Sequence, residues 1–282
     1  MIETVRGIFG TLSEMLSYAF LVRAMVVGLL VSLCASLLGV SLVLKRYSMI
    51  GDGLSRVGFG AMAIATAVGM APLTLAIPVV VLAAFLLLRV SENSKIKGDS
   101  AIALIATSSL AIGVIVISAT TGMNTDVCNY MFGSILAMSR DDVTLSVWLC
   151  AVVLVLFILF YNKIFAVTFD ENFARATGTR AGAYNTLIAL LTAVTIVLGM
   201  RMMGALLISS LVIFPSLTSM RVCKRFRTVV ISSAVLSVVC FFLGLVISYI
   251  YAFPTGASVV GVNIIMFCIF STIGMMPRRG IA

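Results

Sequence analysis

The chain has 282 residues, of which 62% are hydrophobic and 10% charged, with a formal net charge of +9 and no histidine. A soluble domain averages about 25% charged residues, so a soluble globular class is excluded, and the missing imidazole removes HExxH zinc hydrolysis and every triad or dyad built on histidine. The basic residues are scattered through short gaps, with no basic domain to lie along a phosphate backbone, so the charge does not point to nucleic acid.

Residues 1–18 place Ile2, Val5, Ile8, Phe9, Leu12 and Leu16 at helical spacing. They lack the basic–apolar–small pattern of a cleaved signal peptide and are expected to form an amphipathic lead-in. Mostly apolar runs follow near 19–44, 53–70, 72–90, 101–121, 143–162, 182–200, 203–219, 228–252 and 257–276. Each is about 17–25 residues, long enough to cross a hydrocarbon core. The runs are continuous rather than alternating, which predicts an all-α polytopic transmembrane bundle of eight or nine spans and not a barrel. No gap is long enough for a separate soluble domain. The organisation is therefore a lead-in, one transmembrane domain over 19–276 and a short tail over 277–282.

Charge gives the bundle a direction. Fourteen of the nineteen Lys and Arg fall in alternate gaps: Lys45 and Arg46; Arg89, Lys95 and Lys97; Lys163, Arg175 and Arg180; Arg221, Lys224, Arg225 and Arg227; Arg278 and Arg279. The intervening gaps hold Arg140 and Arg201, and the N-terminal segment holds Arg6 and Arg23. Such an excess marks cytoplasmic loops of a cell-membrane protein. Nine spans put the C-terminus inside and the N-terminus outside. If the short, glycine-rich 53–70 run is re-entrant, the count is eight and the N-terminus moves inside.

The six cysteines form no CxxC and four lie within apolar runs, so neither a disulfide framework nor a zinc cluster is expected. There is no GxxxxGK[ST] to cradle nucleotide phosphates and no GxSxG. A transport or channel component, not an enzyme, is the reading that several spans with a few intramembrane charges support.

Several segments carry chemistry. Gly51-Asp52-Gly53-Leu54-Ser55-Arg56 opens the second run, and Asp52 and Arg56, four apart, share one helix face. Two readings fit: a pathway pair that traps or repels an ion, or a helix-start acid tied to an arginine reaching the cytoplasmic surface. Gly28, Ser32 and Ser36, and then Gly58, Gly60, Ala61, Ala63, Ala65 and Ala67, are small residues that let helices approach closely. Met200, Met202 and Met203 suit packing better than a soft-metal site. Pro215, with Ser216 and Thr218, makes a broken, hydroxyl-lined stretch that fits a cation path or hinge, or a packing kink. In the 169–180 loop, Asp170 can cap a short helix, Glu171 sits in its first turn, and Gly178 can end it. That element is either a docking helix for a partner or an ordinary inter-helix cap.

Together these segments resemble the membrane permease of ABC transporters for divalent metals, the zinc/manganese/iron uptake family. The resemblance rests on Lys45 to Ser55 (a basic pair, then Gly-Asp-x-Leu-Ser), Tyr130 to Ala137 (YMFGSILA), Phe169 to Gly178, Gly204 to Ser219, and Phe253 to Ser258, in family order over nearly the whole chain. It implies a permease without its own ATP site, working as a homodimer or with a sister permease in membrane lipid. It also implies a cytoplasmic ATPase that binds ATP and an extracytoplasmic metal-binding protein that delivers Zn²⁺, Mn²⁺ or Fe²⁺. Asp170, Glu171, Ala174 and Gly178 fall on the family's ATPase-coupling loop. Asp52 falls on its metal-binding aspartate. The histidine four residues later is Arg56 here, which stays protonated and repels a dication. A lost site, a site built from other oxygens, a partner that supplies the histidine, a permease for another substrate such as an iron chelate, and a transport-inactive scaffold all remain compatible with that change.

Overall fold

A computed structural model describes residues 17–93, 98–120 and 140–275. Most of the lead-in, the 130–137 segment, Lys95, Lys97, Cys128 and the 277–282 tail lie outside the described residues. Eleven helices occupy the described residues: α1 Ala19–Leu44, α2 Ile50–Val68, α3 Pro72–Asn93, α4 Gly98–Thr120, α5 Arg140–Leu159, α6 Tyr161–Phe169, α7 Glu171–Ala176, α8 Ala181–Met203, α9 Ala205–Val222, α10 Phe226–Tyr251 and α11 Thr255–Met275. Each of the nine apolar runs corresponds to one long helix, and α6 and α7 are additional short ones.

Seven of the long helices are apolar enough throughout to cross a membrane: α1, α4, α5, α8, α9, α10 and α11. The other two are α2 and α3. Helix α2 is unbroken over 19 residues, about 28 Å, close to the ~30 Å hydrocarbon core. The 53–70 run is thus one unbroken helix. It is less apolar because most of it is buried against protein, where small and polar residues replace lipid-facing ones.

Helices α1 and α8 form the centre, with 67% of each apolar window buried, whereas α5 and α11 form the rim at 22% and 17%. Helix α1 packs on α8, α9, α10 and α5; α2 packs on α4, α3, α9 and α8. The basic corners share one end of the bundle. Lys45, after α1, reaches Asn185 at the start of α8, and Phe226, at the start of α10, packs on Tyr161 and Phe165 of α6. At the opposite end, Arg201 of α8 pairs with Asp142 of α5 at 2.6 Å, each about one-fifth exposed. This pairing of ends follows the charge alternation in the sequence.

Lipid tails are as apolar as leucine, so helix association in the bundle depends on close contact and interhelical hydrogen bonds. The small residues of α1 provide both. Ser237 of α10 donates to the Ser32 carbonyl at 2.8 Å, and Ser216 and Ser233 both lie 3.4 Å from the Ser36 carbonyl. A Cβ on Gly28 would fall 2.2 Å from Phe241 Cζ, and one on Gly39 only 2.0 Å from the carbonyl oxygen of Val212. Met200 and Met203 pack beside Gly58 and Gly28, which accounts for two of the three clustered methionines by packing. Five cysteines are described, all as free thiols.

The Gly39 contact makes a sharp test, because the obstructing atom is backbone and can move only if α9 moves. Gly39→Ala is expected to destabilise the chain by about 3 kcal/mol, the upper end of overpacking penalties. Gly261→Ala, whose added methyl meets open space, is expected to be neutral or slightly stabilising. Unfolding midpoints of the purified chain in detergent check the pair.

Candidate functional site

The α7 element is built by local rules. Asp170 sits in extended conformation before α7 and its side chain accepts from the Phe173 N–H at 2.9 Å, capping the helix as its position predicts. Gly178 ends the helix at φ +78°. The Gly178 and Thr179 N–H groups donate to the Arg175 and Ala174 carbonyls at 3.0 and 2.9 Å, a Schellman closure. Ala174 is fully buried against Val167 and Ala181, which fixes α7 to the bundle. Phe173, 65% exposed, and the half-open Phe169 project from the same element. Phe169 packs on Phe165 and Phe226, which leaves Phe173 as the apolar side chain held out on a well-closed loop, a surface suited to contact.

Glu171 connects this element to the spans. One carboxylate oxygen accepts from Arg175 at 2.5 Å, and the other accepts from the Asn185 amide at 3.1 Å. The Asn185 carbonyl oxygen in turn accepts from the Lys45 ammonium. Asn185 is 7% exposed. The chain Arg175–Glu171–Asn185–Lys45 therefore links α7, α8 and the α1–α2 corner. Burial disfavours the Glu171 carboxylate, but the Asn185 hydrogen bond and the charges of Lys45 and Arg175 outweigh it and hold its pKa below the usual range. A depressed carboxyl pKa stabilises the fold at pH above its unfolded value and loses that contribution only as pH falls through the folded value. Glu171 therefore stays ionised at neutral pH.

The same corner positions the second site. Arg46 takes φ +63°, an uncommon left-handed conformation for a side-chain-bearing residue, and turns the chain from α1 into α2. One turn into α2, the Arg56 Nε donates to Asp52 Oδ2 at 2.9 Å. The two side chains are 39% and 52% exposed respectively. They open on a cavity of ≈ 430 Å³ between α2, α4, α9 and α11, walled by Phe59, Leu110, Ser209, Ser210, Ile213 and Val260 among others. Ser209, Ser210 and Ile213 lie in the first half of α9, and a Cβ on Gly51 would come 3.9 Å from Val212, so the ion pair lies level with the interior of α9.

Pro215, Ser216 and Thr218 are all buried and do not reach this cavity. Ser216 lies beside Gly39 and donates to the Val212 carbonyl at 3.1 Å. Ser219 donates to the Pro215 carbonyl at 2.8 Å. The hydroxyls that do wall the cavity, Ser209 and Ser210, were legible in principle: they recur with Leu206, Ile213 and Phe214 at three- and four-residue spacing. Nothing in the spacing favoured that stripe over the one with Ser216. The partnership of Lys45 with Asn185 carried no sequence signal, because the two are 140 positions apart. Among the described residues, no three Cys, Asp or Glu side chains gather into a metal-holding group.

A helical bundle with an acid, a base and two serines in an otherwise apolar cavity, and a capped helix set against its basic end, is the build of a multi-pass membrane transport protein. The family is equally plain: residues 17–274 match the ABC 3 transport family, and the chain belongs to it. It is similar to the manganese transport system membrane protein MntC of Halalkalibacterium halodurans, 29% identical over 268 residues, covering 95% of this chain and 91% of that one. The "probable iron transport system membrane protein" of Haemophilus influenzae is 30% identical over 259 residues, covering 92% and 91%. Among solved structures, PsaBC from Streptococcus pneumoniae in complex with Fab superposes with a TM-score of 0.85 at 27% identity, covering 98% of each chain. The expected family and the all-α polytopic architecture both hold.

Proposed function

We propose that this chain is the permease of an ATP-driven importer of divalent first-row metal ions, with Mn²⁺, Fe²⁺ and Zn²⁺ as the candidate cargo. The observation that carries the reading is the Asp52–Arg56 pair, half-open in the cavity of a chain similar along its whole length to a manganese permease. In this reading Asp52 is an ion contact and Arg56 a gate charge. A half-exposed ion pair turned toward lipid at the level of the α9 interior is costly. The α2–α4–α9–α11 face is therefore covered by a second permease, a copy or a sister chain, and the ion passes between them. The second chain also supplies oxygens or nitrogens that Asp52 alone cannot, since a divalent cation takes at least four ligands. Pro215, Ser216 and Thr218 act as a packed hinge next to the path.

The chain hydrolyses no ATP in this reading. A cytoplasmic ATPase seats on α7 and contacts exposed Phe173, with Asp170, Ala174 and Gly178 holding the helix in shape and Glu171 passing its movement to the spans. An extracytoplasmic metal-binding protein delivers the cargo from the other side. A second reading, import of an anionic metal chelate, is favoured by Arg56, whose terminal amino groups suit carboxylate or phenolate oxygens.

The test is uptake of radiolabelled Mn²⁺, Fe²⁺ and Zn²⁺, free and chelated, into liposomes holding the chain with its ATPase and binding protein. ATP-dependent uptake of a free ion is the expected result. Uptake of the chelate alone selects the second reading, and ATP hydrolysis with no uptake of either leaves a scaffold.

A further inference from the structure

The geometry points to a binding site for an anionic phospholipid of the cytoplasmic leaflet, in a groove between α1, the α5–α6 junction and α10. The groove has a volume of ≈ 960 Å³ and lies away from the Asp52 cavity, sharing no wall residue with it. On one side of it the helix is interrupted at Phe160 (φ −97°, ψ 11°) between α5 and α6, and on the other α10 is unbroken. Leu33 and Leu37 of α1 form its floor, and Ile158, Ile231 and Val235 its rim. These rim side chains are 69%, 55% and 57% exposed.

The two ends of the groove differ in chemistry. The deep end is apolar. The cytoplasmic end carries Tyr161, Asn162 and Arg227, beside the ring cluster of Tyr161, Phe165, Phe169 and Phe226, whose centroids lie 4.9–6.1 Å from that of Phe226. Aromatic rings at this level mark the boundary between tails and headgroups. Arg227 is exposed and has no carboxylate within ion-pair distance among the described residues. Lys163, Lys224 and Arg225 stand on the flanking turns, and neither 160–165 nor 221–228 contains an acid.

Length selects the occupant. From Arg227 to Val235 the trough runs about 12 Å along α10. One leaflet of the hydrocarbon core is about 15 Å deep. A single acyl chain lies in such a trough while its headgroup phosphate meets Arg227, Asn162 and the Tyr161 hydroxyl. The arginine is a bidentate phosphate partner, and the surrounding cations make net-negative headgroups preferred over zwitterionic ones. A peptide or a second helix would fill the trough but would leave Arg227 without an anion.

The experiment is native mass spectrometry of the full chain, purified, delipidated and titrated with phosphatidylglycerol or phosphatidylcholine of matched chains. The wild type is expected to bind phosphatidylglycerol about fivefold more tightly, the effect of one surface cation on an anionic lipid. Arg227→Gln is expected to lower that preference. Ile231→Trp, which fills the trough and keeps the charge, is expected to weaken both lipids. Equal binding of the two lipids by the wild type, or an unchanged preference in Arg227→Gln, overturns the proposal. Conversion of a two-chain particle to single chains by Ile231→Trp also overturns it, because the groove is then a subunit contact.

Discussion

Asp52→Asn is expected to lower ATP-driven metal uptake by roughly 10–100-fold, the loss typical of damage to a metal-binding shell. Among the described residues the carboxylate is the only formal negative charge on the cavity wall. An amide keeps its size and one oxygen but loses the charge that attracts a dication. The substitution also leaves Arg56 unpaired in the cavity, which by itself destabilises the bundle. The double variant Asp52→Asn with Arg56→Gln separates the two effects: it removes both charges and is expected to restore the amount of folded protein but not uptake. Arg56→His tests the other partner. It exchanges a permanent cation for a side chain with a free nitrogen lone pair. If position 56 competes with the cargo for Asp52, uptake rises by roughly tenfold, again on the scale of one metal-shell contact. Normal uptake by the neutral double variant would show that Asp52 does not touch the ion.

The second large effect is expected at the relay from α7. In the Glu171–Asn185–Lys45 chain, Lys45→Met removes one charge-assisted hydrogen bond, Asn185→Leu removes both, and Glu171→Gln takes the charge from the other. Such bonds contribute about 1.5–3 kcal/mol, so the ions moved per ATP hydrolysed are expected to fall roughly 10–100-fold. The ATPase still docks, because Phe173 and the capped helix are untouched, and hydrolysis is expected to continue. A merely structural role predicts a different outcome: less assembled complex, with uptake and hydrolysis falling together. The Lys45→Met, Glu171→Gln double variant should be no worse than either single one, since the amide between them needs both partners to carry a displacement. Additive losses would mean that the two residues act independently.

Much of this was available from the sequence. The apolar runs fixed the number of long helices because a bilayer leaves backbone groups no other partner, so each run must satisfy its own hydrogen bonds. The alternation of Lys and Arg assigned the ends, and Lys45, Phe226 and the α7 loop do meet at one of them. The α7 caps were equally legible, since Asp170 and Gly178 act on neighbours three to five residues away. The Asp52–Arg56 contact was legible for the same reason.

The tertiary structure decided what those local pieces face. It turned α2 inward, so that a weakly apolar run became a buried helix and its ion pair came to share a cavity with Ser209 and Ser210. It put Ser216 on the seam with Gly39 and Ser36, away from that cavity. It joined Lys45 to Asn185 and Arg201 to Asp142. Periodicity identifies which residues share a helix face, but in a chain apolar on nearly every face it does not say which face meets a neighbour. That choice is made by close contacts between helices distant in sequence, at glycines and serines whose partners no local pattern specifies.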